Sequence, residues 1–271
     1  MFEFRVNVGI MICVLMQKVN RLAYISDALR REGSVSIKRL KDVLGVSEST
    51  IRRDIQAFLR MTKLPVKRVH GGLIMDIDKG SIEPVYEAKL PFMAKEKARI
   101  AAKALEYVED GDSIILDSGT TSLHLARLLH QRKGLKVIVT DVKLAEELAS
   151  FPDIETHIIC GHVRPGYYSI GGTMAEQHIA QFVVEKAFLT ADAVDPKIGV
   201  TNSSMFELGV KRAIVRAGKT VILLADHSKL GKQALVKVCD LSEIDLFITS
   251  AGGDAEVIEA IRQKVHQLVQ V

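Results

Sequence analysis

Val46-Ser47-Glu48-Ser49-Thr50-Ile51-Arg52-Arg53-Asp54 opens the most informative helix of this 271-residue chain. Ser47 is placed to cap a helix that begins at Glu48. Projected at about 3.6 residues per turn, Ile51, Ile55, Phe58 and Leu59 share one face. Arg53 falls opposite them, with Ser49, Gln56 and Arg60 beside it and Thr50 and Arg52 toward the flanks. An apolar back and a hydrogen-bonding front are what a helix needs to enter the major groove of DNA. Any amphipathic surface helix shows the same division, so the flanking segments have to decide. Asp54 does not project forward, and a local salt bridge or packing contact suits it better.

Before this helix, Leu22, Ile25 and Leu29 form an apolar stripe at helical spacing, ended by Glu32-Gly33. Ser36 can cap a second helix with Ile37, Leu40, Val43 and Leu44 facing inward, and Gly45-Val46-Ser47 is a tight connection to the third. Leu64–Leu73 reads as a basic β-hairpin ending in Gly71-Gly72, in which Lys67, Arg68 and His70 are placed to grip phosphate or to enter the minor groove as a wing. Residues 1–72 carry 14 Lys+Arg against 6 Asp+Glu, and the remaining 199 carry 23 against 27. Only the first block therefore suits a polyanion, although a solvated basic surface would show the same count. The candidate DNA contacts are Ser47, Ser49, Thr50, Arg52, Arg53, Gln56, Arg60, Lys67, Arg68 and His70.

Composition narrows the classes further. There is no Trp and only 5% aromatic content, which argues against a base-stacking surface for single strands or RNA. Val6–Met16 is too short to cross a membrane and lacks a convincing signal-peptide cleavage site. Translation is expected to start at Met16, with residues 1–15 an upstream extension. Cys13, Cys160 and Cys239 have no CxxC spacing and read as reduced thiols of a cytoplasmic protein. No metal-ligand spacing is present among the His residues, and neither a metal nor a cofactor is expected.

Residues 74–93, with Pro84 and Pro91, read as an irregular linker between a domain at 16–73 and a larger one at 94–271. Beyond the linker, the helix Lys95–Val108 is followed by apolar runs at Ser113–Asp117, Val137–Thr140, His157–Cys160, Ala187–Thr190, Val221–Ala225 and Leu246–Thr249. Helical segments lie between most of these runs, so the class is α/β with a largely parallel sheet covered on both faces. Ligands of such sheets collect at the carboxyl ends of the strands. There, Asp117-Ser118-Gly119-Thr120-Thr121 joins a strand to a helix, a turn suited to phosphate oxygens. An ordinary capped turn reads the same way. Neither a Walker loop nor GxGxxG occurs, which disfavours ATP and dinucleotides. Thr140, Asp141, Gly161, Gly171, Gly172, Asp192, Asp226 and Lys229 complete the candidate effector contacts at other strand ends. Lys229 is suited to neutralising phosphate and Asp117 to accepting from sugar hydroxyls. A solvated loop lysine and a plain Gly-Gly turn are the bland alternatives.

The S-x-x-T-I-R-R-D element at Ser47–Asp54, followed by Arg68-Val69-His70-Gly71-Gly72, resembles the DeoR family of winged helix-turn-helix regulators. From about Met16 onward the rest of the chain is similar to that family too. Asp117–Thr121 matches its phosphate loop, and Asp226–Gly231 its D-x-S-K-x-G segment. The resemblance implies a winged helix-turn-helix domain followed by a Rossmann-like sensor domain related to ribose-phosphate isomerases. It implies a repressor of sugar or related catabolic genes that binds an operator in double-stranded DNA and is controlled by a phosphorylated sugar. Three positions depart from the family pattern: Asp141 where Asn is common, Gly161-His162 where a Gly pair is common, and Thr190–Ala193 in place of a Gly-richer stretch. A homo-oligomer on repeated half-sites is expected. The rival is a sugar-phosphate isomerase with an accessory domain. It has carboxylates available in Asp117, Asp192 and Asp226 but no acid–base set fixed by spacing, and it leaves the basic block without a purpose.

Overall fold

The computed structural model describes residues 18–29, 34–62, 66–69, 71–75, 83 and 85–271. Residues 1–15, Glu32-Gly33 and His70 lie outside the described residues. The chain divides into two compact units, with the boundary between Phe92 and Met93.

In the first unit, α1 (residues 18–29) places Ile25 and Leu29 in the core. Strand β1 (Ser34–Ser36) leads into α2 (Ile37–Leu44), whose N-cap Ser36 accepts from Arg39 N at 3.1 Å. α3 (Glu48–Met61) follows, and Ile51, Ile55 and Phe58 seal it onto Ile25, Leu29 and Leu40. Val43, expected to face inward, is exposed. Ile37, Leu40 and Leu44 already define the apolar stripe of α2 at spacings of three and four, and Val43 lies off that stripe.

The hairpin is β2 (Val66–Val69) and β3 (Gly72–Met75), and β1 adds to it in the order β1-β3-β2. Gly71 therefore lies in the turn and Gly72 opens β3, so the two glycines stand in the middle of the hairpin rather than at its end. Val35 pairs with Leu73, and a Cβ on Gly72 would stand 2.2 Å from Val35 O, so only glycine lets β1 come this close. Within 74–93, the segment expected to be irregular, β3 extends to Met75 and α4 (Tyr86–Lys89) places Ala88 in the same core. Tyr86 and Ala88 supply an apolar pair two residues apart, too short a pattern to announce a helical turn.

The second unit begins with α5 (Ala94–Leu105) and β4 (Ser113–Leu116), then α6 (Thr120–Ala126), β5 (Leu135–Val139), α7 (Val142–Leu148) and β6 (Ile154–Ile158). A small hairpin of β7 (His162–Val163) and β8 (Ile170–Gly171) precedes α8 (Thr173–Ile179) and β9 (Val184–Thr190). Next come β10 (Ala193–Asp195), β11 (Gly199–Asn202), α9 (Met205–Ala217), β12 (Gly218–Leu224), β13 (Val236–Cys239), β14 (Leu246–Thr249), α10 (Ala255–Arg262) and β15 (Gln267–Gln270). Seven strands pair in parallel in the order β15-β14-β12-β9-β4-β5-β6, and Ile115, Leu116, Phe188 and Phe247 are fully buried within the sheet. β10, β11 and β13 form a second, antiparallel sheet. Strands of three or four residues carry too little alternation to be read from sequence. From β4 the chain winds outward through β5 and β6, and from β9 through β12, β14 and β15 in the other direction. β4 and β9 are neighbours, so the topological switch point lies between their carboxyl ends.

Arg21 donates from Nε to Asp54 Oδ2 at 2.6 Å, and this hydrogen bond raises the Arg21 pKa. The pair ties α1 to the buried side of α3, the structural role expected for Asp54. Asp54→Ala should lower the stability of the first unit by about 1–3 kcal/mol, since it strands a largely buried guanidinium. Thermal unfolding measures it, and an unchanged melting temperature would refute the role.

Candidate functional site

On α3 the Ser47 hydroxyl accepts from Thr50 N at 3.3 Å and lies 2.9 Å from both Ser49 Oγ and Thr50 Oγ1. This cap fixes the first turn. Ser49, Arg53, Gln56 and Arg60 are exposed along the helix, with Thr50 half-buried. Arg52 Nη2 meets Glu48 Oε1 at 2.6 Å. With both groups about half exposed, that pair contributes little and exchanges readily for a phosphate contact. Lys67 and Arg68 are both exposed on β2. The candidate base-reading and phosphate-gripping side chains thus occupy the outer surfaces of one helix and one strand, and the core holds the other sides.

In the second unit, the switch point is closed by a buried ion pair. Asp117 N continues the β4–β9 pairing by donating to Phe188 O at 3.0 Å. Asp117 Oδ2 accepts from Thr190 N and Thr190 Oγ1, each at 2.9 Å, and from Lys211 Nζ at 2.5 Å. Thr190 Oγ1 is also 2.7 Å from Ser118 O. Gly119, at φ 147, passes so close that a Cβ would meet Thr190 Oγ1 at 3.2 Å. The first helical bond of α6 runs from Leu123 N to Gly119 O. The N–H groups of Thr120, Thr121 and Ser122 therefore have no intrahelical partner.

Lys211, from α9, is 2% exposed. Burial pulls its pKa down, but Asp117 and Glu207 outweigh that and hold it raised. Glu207, one turn earlier on α9, accepts from Ser169 Oγ at 2.6 Å, Asn202 Nδ2 at 3.0 Å and Arg164 Nη1 at 3.1 Å. The sequence reading missed both residues. The available signal was Glu207 and Lys211, spaced i,i+4, on the same helical stripe as Val210, Ile214 and Ala217, where charges are rare. Asp192 accepts from Ser203 N and is a charge neighbour of Lys211.

Thr140 and Asp141 follow β5, the neighbour of β4, and both are buried. Asp141 Oδ1 caps α7, accepting from Lys143 N at 2.6 Å and Leu144 N at 3.3 Å. Burial raises Asp141 to about 6, only partly offset by those two bonds, and the nearby Asp117 and Glu207 add to the rise. Asp117–Thr121, Thr140, Asp141 and Asp192 thus follow the carboxyl ends of the neighbouring strands β4, β5 and β9, where a parallel sheet forms its ligand crevice.

The other candidates are placed differently. A Cβ on Gly161 would meet Gly171 O at 2.8 Å, and one on Gly171 would meet the Phe206 ring at 2.5 Å. Close packing of the β7–β8 arm on α8 and α9 accounts for both glycines. Gly172 stands at the start of α8. Asp226 accepts from Ser228 N and Oγ in its own turn, and Lys229 closes that turn with its N–H on Asp226 O. This loop follows β12, two strands from β4. A separate cleft of about 370 Å³, bordered by Lys197, Leu241 and Lys264, opens beside the amino ends of β14 and β15 and holds none of these residues. Burial pushes the Cys239 thiol up to about 12, which leaves it inert, whereas Cys160 is exposed.

A basic, exposed helix with a wing, joined to an α/β unit with buried charges at the switch point of its sheet, is the architecture of a DNA-binding regulator. Residues 21–78 match the DeoR-like helix-turn-helix domain and residues 93–251 the DeoR C-terminal sensor domain, and the chain belongs to the DeoR family of transcription regulators. A protein of Escherichia coli (strain K12) named as a transcriptional regulator of the sgc region is 38% identical, over 87% of this chain and 90% of that one. The transcriptional repressor AccR of Agrobacterium fabrum is 30% identical, over 92% and 95%. Among solved structures, ribose 5-phosphate isomerase A from Methanocaldococcus jannaschii is 18% identical at a TM-score of 0.38, covering 51% of this chain and 54% of that one. The sequence relatives are named as regulators, so the isomerase alternative is set aside: the chain is a DNA-binding regulator and not an enzyme. Among the described residues, no helix is long and apolar enough to cross a membrane.

Two outcomes are expected. Arg53→Ala weakens operator binding and flattens its dependence on salt, measured by fluorescence anisotropy across salt concentrations; an unchanged affinity at every salt would refute the reading-helix assignment. Asp141 holds its proton more tightly folded (about 6) than at its ordinary 3.8. The contribution of Asp141 to stability is therefore fully present below about pH 4 and is lost as pH rises through 6, by about 2–3 kcal/mol. Asp141→Asn should raise the melting temperature at pH 8 and leave it near wild type at pH 4.

Proposed function

We propose that this regulator is a repressor of a sugar or polyol catabolic operon. Its α/β unit binds a phosphorylated sugar or polyol in the crevice between β4 and β9, and it works in the cytoplasm as a homo-oligomer on paired operator half-sites. The observation that carries the reading is the buried Asp117–Lys211 pair, which anchors the turn Ser118–Thr121 at the switch point of the sheet. The pair fixes the backbone so that N–H groups lacking intrahelical partners, together with the Thr120 and Thr121 hydroxyls, are available to phosphate oxygens. The Asp192 carboxylate offers an acceptor suited to sugar hydroxyls. Repressor names among the relatives, for the aga operon of Escherichia coli O157:H7 and for AccR, support the direction of control.

Control follows from differential affinity. An effector that prefers one arrangement of the paired DNA-binding domains shifts the population toward it, with a coupling of about 1–3 kcal/mol, or 5–150-fold in operator affinity. A single winged domain reads few base pairs, and pairing two of them supplies the specificity that one lacks. The test is a thermal-shift screen of phosphorylated pentoses, hexoses and hexitols against their unphosphorylated forms. It is followed by binding to DNA upstream of the protein's own gene with and without each hit. Phosphorylated compounds alone should raise the melting temperature and change DNA affinity at least fivefold. Equal response to the unphosphorylated forms would overturn the phosphate assignment.

A further inference from the structure

The acids of the crevice differ in what the fold supplies to them. Asp117 has Lys211, Glu207 has Arg164, Ser169 and Asn202, and Asp192 has the N–H of Ser203. Asp141 has donors on one oxygen only: Oδ1 takes the two N–H groups at the start of α7, while Oδ2 is buried with no hydrogen-bond partner among the described residues. Thr140 Oγ1 and Ser122 Oγ are buried in the same condition. Thr140 Oγ1 and Asp141 Oδ2 lie in the connection that follows β5, and Ser122 Oγ lies in the first turn of α6, which follows the neighbouring strand β4. Buried polar atoms as a rule have partners, and unsatisfied ones at the carboxyl end of a parallel sheet, where ligands of such sheets bind, are suited to ligand atoms.

The charges around Asp141 decide which form of it meets the ligand. Asp117 faces it from the end of β4 and Glu207 from α9. Lys211 on α9 is bound to Asp117, and Arg164 of the β7–β8 arm is bound to Glu207. On its own helix, Lys143 donates to Glu146 at 2.8 Å and lies 5.2 Å from the Tyr168 ring centroid. Asp192 lies beyond Lys211. The cations near Asp141 are engaged by other acids, and a phosphorylated ligand brings more negative charge. Two ionised oxygens at the ligand contact would repel, whereas a neutral acid donates.

We propose that Asp141 is a specificity-determining residue of the effector site: as the neutral acid it donates Oδ2–H to an oxygen of the phosphorylated ligand, so that binding takes up one proton. The proton comes from solvent and stays on Oδ2, with no bond made or broken in the ligand. This inference rests on the effector reading above. Its consequence is that the repressor senses its metabolite more keenly as pH falls toward 6.

The test uses the full chain, as wild type and as Asp141→Asn, in titration calorimetry at pH 6, 7 and 8, each in two buffers of different ionisation enthalpy. The probes are ribose 5-phosphate, fructose 1-phosphate, fructose 6-phosphate, glucitol 6-phosphate and inorganic phosphate. Wild-type affinity should fall about tenfold per pH unit above 6, with close to one proton taken up at pH 8. The asparagine variant, a permanent neutral donor, should bind at pH 8 as wild type does at pH 6 and take up one proton fewer. Ionisation of the phosphate itself near pH 6 moves both proteins alike. Identical pH profiles for the two proteins, or loss of binding by a variant that keeps its melting temperature, would overturn the proposal and leave the effector reading standing. Silence of every probe with both proteins would overturn the two together. Proton uptake by the wild type, measured between buffers, stands as a test without the variant.

Discussion

Everything in the α/β unit that bears on sensing depends on one constraint: a carboxylate and an ammonium, both out of water, must stay together. Removing either partner from Asp117 and Lys211 would leave an uncompensated charge in a medium that solvates it poorly. The pair therefore fixes the distance between α9 and the end of β4. Thr190, which donates to Asp117 and meets Ser118 O, extends the same constraint to β9. The three elements that border the switch point are held by a few short contacts, and the turn that begins at Ser118 inherits its shape from them.

Much of this was legible in the sequence, for physical reasons. The parallel sheet announced itself because strands buried on both faces must be continuously apolar, as Ile114–Leu116 and Val221–Leu224 are. The reading helix was legible because Ile51, Ile55 and Phe58 are spaced for one buried face. Asp117–Thr121 stood out by chemistry and by its place after a strand. The partner across the crevice did not, because Lys211 lies 94 positions further on and only the folding of α9 against β9 brings it to Asp117. Buried charge on an apolar stripe was the one local clue. The antiparallel sheet of β10, β11 and β13 was invisible for a different reason, since its strands owe their pairing to tertiary context rather than to pattern.

The glycines show how a shared residue type divides by cause. Gly119 is required by its backbone angle and by the approach of Thr190, inside the candidate site. Gly171 is required by the packing of the β7–β8 arm against Phe206, at the site's margin, and Gly161 combines such packing with a φ of 149 of its own. Sequence offers no way to separate these cases, because both remove a side chain where two pieces of chain pass within contact distance. Arg164 and Ser169, carried by the same arm, reach Glu207, so the arm contributes to the charge pattern of the crevice even where its glycines do not touch a ligand.

The contact between Gly72 and Val35 has a consequence for how such a regulator diversifies. Because β1 is spliced into the hairpin and runs directly into α2, which packs on α3, the wing is not an appendage that swings independently. Hairpin and α3 share one core, so their relative placement is set by packed strands and helices rather than by loop length. Exposed side chains such as Ser49, Arg53 and Gln56 lie outside that shared core, so exchanging them leaves the scaffold of helix and hairpin unaltered. The outer surface of the unit can therefore vary in sequence without disturbing its fold.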